Sequence, residues 1–152
     1  MKIVTALSLG LIITSGSFSA LADDYEAEDI IEYREDVMDA IKHHNNALEA
    51  ILKGKVPFEG QLEIHMSSLE SLLGEIGSLF PEGSDFGETN AKEEIWDKPE
   101  KFEEAVKKAQ QEFADFKAIV AKGDNKASAK ALKKFGKESC GNCHKSFKKK
   151  DD

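Results

Sequence analysis

Four stretches of this chain place apolar residues at three- and four-residue steps, and no stretch of comparable length alternates in the two-residue manner of a strand. The first, from about Asp24 to Leu52, aligns Ile30, Arg34, Val37, Met38, Ile41, Asn45, Leu48 and Leu52 on one stripe, and Gly54 with Pro57 ends it. The second, from about Glu59 to Phe80, turns Leu62, Met66, Leu69, Leu73, Ile76 and Phe80 to one side and stops at Pro81. The third opens with Asp97 as a cap and Pro99 in the first turn, where a missing N–H costs nothing, and aligns Phe102, Val106, Ala109, Phe113, Phe116 and Val120 before Gly123. The fourth, capped by Asp124, carries Leu132, Phe135, Gly136, Cys140, Cys143 and Phe147 inward. Each stripe must be buried, and three of the links are short. The pattern therefore specifies an all-α chain folded as an antiparallel, up-down-up-down four-helix bundle. One link departs from this economy: about seventeen polar residues between the second and third helices, including Gly83, Gly87 and Trp96, a length a compact bundle keeps only if the segment packs on something.

The two cysteines are the only ones in 152 residues, and they stand on the last helix in Cys140-Gly141-Asn142-Cys143-His144. Thiols three apart on a helix lie on one face and can each add to a vinyl group of a single porphyrin, while His144, a turn past Cys140, can offer its imidazole to the iron. This pentapeptide is an attachment site for one covalently bound haem c. A thioredoxin-type dithiol would open a helix after a strand, and no strand precedes this pair. A zinc site would need further cysteine or histidine ligands at matching spacing, which the chain does not supply. The edge of the porphyrin is then the natural surface for the long connection to pack on.

Residues 1–22 read as a secretory signal: Lys2, an apolar run from Ile3 to Ile13, and small residues ending in Ala20-Leu21-Ala22. Cleavage after Ala22 leaves residues 23–152, the size of one domain with one core, exported to the periplasm, where haem is attached to such motifs. The apolar run is too short for a membrane span and no other stretch is long enough. Loss of Lys2 moves the net charge from −8 to −9, so nucleic acid is not an expected partner.

Together these residues resemble the cytochrome c prime family, the class II c-type cytochromes, whose bundle carries the haem motif on its last helix. The resemblance spans the mature chain and rests on Ile31-Glu32-Tyr33-Arg34 with Met38, Lys53-Gly54-Lys55-Val56-Pro57-Phe58, Leu79-Phe80-Pro81, Thr89-Asn90-Ala91-Lys92, Trp96, and the haem motif followed by Phe147-Lys148. It implies that Arg34 pairs with a haem propionate, although a lone helical arginine more often reaches into solvent. It implies haem contacts at Thr89 and Asn90, where a glutamate often replaces Asn90 in the family, and it puts Met38 over the open face of the haem. Lys148 would stand beside the axial imidazole, although a lysine there also suits a helix C-terminus. Lys133, Lys134, Lys137, Lys145, Lys149 and Lys150 make a basic zone on an acidic protein, suited to an acidic redox partner. His43, His44 and His65 lie at or beside polar faces and read as surface residues, not ligands.

The resemblance leaves two functions. If Met38 only fills space, the iron is five-coordinate through His144 and the protein binds nitric oxide or carbon monoxide. If the Met38 sulfur bonds the iron, the haem is low-spin with a raised potential and the protein is an electron shuttle. The first is preferred, because the Tyr33-Arg34 pair and the Thr89 loop are closer to that branch. An enzyme is not expected, since no second acid–base group stands on the haem-facing stripe. The family further implies a homodimer through the first two helices, with Leu48, Ile51 and Leu52 as an exposed apolar strip.

Overall fold

The structure is a computed structural model and describes residues 25–150; the signal segment and its cleavage site lie outside the described residues. The helices run α1 (Ala27–Leu52), α2 (Leu62–Glu75), α3 (Glu94–Asp97), α4 (Pro99–Val120), α5 (Asn125–Phe135) and α6 (Asn142–Phe147). Tight 3₁₀ turns at Glu59–Gln61 and Ile76–Leu79 flank α2, and a π-helical turn, Gly136–Gly141, joins α5 to α6. The long elements α1, α2, α4 and the α5–α6 unit pack as a four-helix bundle, with α1 against α2 and α5, and α4 against α2 and α5. No helix among the described residues is long and apolar enough to cross a membrane.

Local chemistry sets the boundaries. Gly54, at φ +64°, lets the chain turn left-handed after α1, so its N–H reaches Ile51 O at 2.9 Å and the Lys55 N–H reaches Ala50 O at 2.9 Å. At the start of α5, Asp124 accepts the Ala127 N–H at 3.0 Å, as its position predicts. Asp97 does not cap α4. The residue before a proline is driven out of the helical region, so the break falls on Lys98 (φ −135°, ψ 58°), while Asp97 closes α3. The last helix is not uniform either: the π turn widens the backbone through Cys140 and shifts the phase of everything after it.

The main core gathers Val37, Ile41, Leu48 and Leu52 of α1, Met66, Leu69 and Leu73 of α2, Phe113 and Phe116 of α4, and Leu132 and Phe135 of α5. The expected apolar strip on α1 is not exposed. Leu48, Ile51 and Leu52 retain 0%, 3% and 4% of their surface, because α2 and α5 close over them within the one chain. A second, smaller cluster of Ile95, Phe102 and Val106 lies under the long connection. There Phe80, Trp96 and Phe147 meet Phe102 or one another edge to face, with centroids 4.9–6.1 Å apart.

Candidate haem site

Arg34 shows why the long connection is ordered. It retains 3% of its surface, at the second cluster's end of α1. One terminal nitrogen donates to Leu79 O at 3.3 Å and Ser84 Oγ at 3.1 Å; the other donates to Ser84 O at 3.3 Å and Thr89 Oγ1 at 2.8 Å. Its guanidinium also lies over the Phe80 ring, 4.6 Å from the centroid. Burial pulls its pKa down, with the nearby Glu35 charge working in the other direction. Among the described residues no carboxylate comes within ion-pair distance of it. A cation kept in the interior by carbonyls, hydroxyls and an aromatic face, with no counter-charge of its own, is a place where an anion gains most.

Thr89 is buried, and its hydroxyl takes both the Arg34 bond and the Ala91 N–H at 3.1 Å. Asn90 is exposed; its backbone oxygen accepts the Lys149 N–H at 2.7 Å. Ala91 forms an antiparallel bridge with Lys148, the Lys92 N–H donates to Phe147 O at 3.0 Å, and Lys149 Nζ donates to Thr89 O at 3.0 Å. The tail thus straps the loop to the end of α6, and Lys92 Nζ caps that end through Lys145 O at 3.0 Å. The Lys148 N–H closes α6 on His144 O at 2.8 Å.

Cys140 and Cys143 are half-buried, and Cys140 packs against the same core cluster as Met38. Burial pushes both thiols above their ordinary pKa; Glu112 adds to this at Cys140, and Cys140 does so at Cys143. A redox dithiol needs the reverse, a stabilised thiolate. The turn that carries Cys140 is held on two sides: buried Ser139 donates to Glu112 Oε2 of α4 at 2.5 Å, and Asn142 Nδ2 donates to Glu138 O at 2.9 Å. His144 is exposed at the start of the final turns.

Two half-buried thiols one turn apart, an accessible imidazole beside them, and a buried cation lacking an anion fit a porphyrin with two carboxylates. Ser84, Ser139, Glu112 and the Phe80 ring were not legible as site residues in the sequence. Their partners lie 27 to 50 residues away, or are reached only through the fold.

A family model described as Cytochrome C' matches residues 29–148. The chain belongs to the cytochrome c prime family. It is 33% identical over 123 residues to a cytochrome c prime of Pararhodospirillum photometricum, covering 80% of this chain and 97% of the relative. It is 29% identical over 157 residues to a cytochrome c-554 of Cereibacter sphaeroides, covering 99% and 100%. A ferrous variant of Alcaligenes xylosoxidans cytochrome c prime with bound nitric oxide superimposes with a TM-score of 0.72 at 25% identity, over 83% of this chain and 98% of that one. A carbon monoxide-bound variant of the same protein gives 0.71 at 25%, over 82% and 98%. Members of this family carry haem c covalently, this protein among them, and its two cysteines are Cys140 and Cys143.

Proposed function

We propose that the protein is a periplasmic haem c carrier, processed after Ala22, in which Cys140 and Cys143 hold the porphyrin and His144 is the only protein ligand to the iron. Haem supplies an iron that takes up a small diatomic ligand or a single electron. The chain supplies the selection. Met38, half-buried beside the core and one helical turn from Arg34, offers a flexible thioether that a slim diatomic can push aside and a larger anion or imidazole cannot. Arg34 holds one propionate, and Thr89 fixes the angle of its guanidinium; Asn90 borders the same edge. Nitric oxide and carbon monoxide are the proposed ligands, and two structural relatives have one or the other bound. No catalytic residue is assigned.

The observation that carries this reading is the placement of Met38 and Cys140 against one core cluster, with the uncompensated Arg34 cation on the same face of α1. The alternative, a low-spin His/Met shuttle, draws on the same methionine. The optical spectrum of the ferric and ferrous protein separates them. High-spin spectra, with faster carbon monoxide uptake after Met38→Ala, are expected. A far-red sulfur-to-iron charge-transfer band in the native ferric protein would decide for the shuttle.

The exposed lysines 133, 134, 137, 145, 149 and 150 are proposed to steer acidic redox partners toward the haem end. A homodimer through α1 and α2 is also proposed. With Leu48, Ile51 and Leu52 buried, Tyr33 and Ile64, 62% and 59% exposed, are the apolar side chains those helices offer.

A further inference from the structure

His44 on α1 and His65 in the first turn of α2 are 21 residues apart in sequence and meet in the fold. Their Nδ1 atoms are 3.0 Å apart, the ring centres are 5.2 Å apart, and the ring planes cross at 57°. Both side chains are half-buried, which corrects the expectation that they are plain surface residues; His43 is exposed. At 3.0 Å the two rings share one proton, one Nδ1–H donating to the other bare Nδ1.

The same spacing suits an ion in place of that proton. With a metal–nitrogen bond of about 2.05 Å and each ring centre about 1.1 Å behind its nitrogen, two imidazoles on a tetrahedral ion hold their centroids about 5.1 Å apart. That is close to the observed 5.2 Å. The rings need only rotate until the two nitrogens stand about 3.3 Å apart, with lone pairs converging on one point. His44 is held below its ordinary pKa by burial and then by the charges of His65 and His43, which favours the neutral form that binds a metal. His44 lies ten residues beyond Arg34, about 15 Å further along α1, so the pair is separate from the haem end.

The geometry points to a two-imidazole site for a divalent transition-metal ion of the zinc, nickel and copper class, clamping α1 to α2. Imidazole nitrogens suit these ions, and affinity rises toward copper. On binding, each Nδ1 gives its lone pair to the ion, and the ring that carried the Nδ1 proton keeps it as Nε2–H, so both ligands remain neutral. Among the described residues no group of three or more metal-capable side chains forms, so water completes the coordination shell. An ion that binds the folded chain and not the unfolded one raises the stability of the bundle by mass action.

The test titrates the haem-loaded protein with Zn2+, which is redox-inert, by calorimetry and by thermal unfolding. One zinc per chain and a raised Tm are expected for the parent and for His43→Gln. His44→Gln and His65→Gln should each lose at least the ~10-fold in affinity that even an outer-shell change costs, together with the zinc-dependent rise in Tm. The two substitutions sit on different helices, and circular dichroism with the Soret band identifies a variant that has not folded, leaving the other to decide. Parental zinc affinity in either folded variant, a stoichiometry of one ion per two chains, or no saturable uptake at millimolar zinc would overturn the site.

Discussion

The two ends of this bundle are held by different physics. At one end Leu48, Leu69, Phe113 and Phe116 retain 1% of their surface or less within one apolar cluster. At the other, the interior holds a guanidinium, two hydroxyls, main-chain carbonyls and two half-buried thiols. The first end is complete with its own side chains. The second gathers the groups that suit a planar, twice-anionic cofactor, and under the proposed function the long connection is part of that cofactor's cradle and not a spare loop.

The largest effect tests whether the second end depends on the cofactor. Replacing Cys140 and Cys143 together by Ser should abolish covalent haem, so that no haem remains with the chain on a denaturing gel. His144→Ala should leave a poorly matured product for the related reason that the iron loses its protein ligand. Haem that still resists extraction into acidified organic solvent after the double substitution would break the comparison at its root.

At the self-sufficient end, Phe113→Ala removes a ring that is 1% exposed and packed 5.5 Å from Phe116 and 5.3 Å from Phe135, centroid to centroid. The expected cost is about 3–5 kcal/mol in denaturant unfolding, with haem content unchanged if the protein is made at all. Arg34→Leu should cost less, about 2–4 kcal/mol, because it strands Ser84, Thr89 and the Leu79 carbonyl without the donor they were folded around. Removing that cation should also lower the haem reduction potential, since a positive charge beside a propionate favours the reduced iron. An Arg34→Leu protein with parental stability and potential would show that the network is ornamental. Asp124→Ala is the smallest probe: loss of the cap on the Ala127 N–H should cost about 1 kcal/mol, without any spectral change.

Much of this was readable in advance, for a definite reason. Apolar residues at helical steps identify the buried face of each helix whatever its neighbours are, so the core sides of α1, α2 and α4 follow from spacing alone. The cysteine pair with the adjacent histidine likewise carries its chemistry in five consecutive residues. Boundaries that depend on a single backbone preference were readable when one preference acted, as at Asp124. They were missed where two competed, as at Asp97, where the conformation forced before Pro99 outweighed a good capping side chain.

By itself, then, the sequence determined an all-α bundle with haem c on its last helix, because helical periodicity and the haem motif are both local. Only the tertiary structure decided what Arg34 touches, that Ile51 is inside with the stripe residues Leu48 and Leu52, that the Lys149 tail straps the Thr89 loop, and that His44 faces His65. Those pairings span 21 to 60 residues. They depend on how far one helix slides and rotates against the next and on the path of the connection between them. Close packing of whole faces sets that register, and no single stretch of chain encodes it.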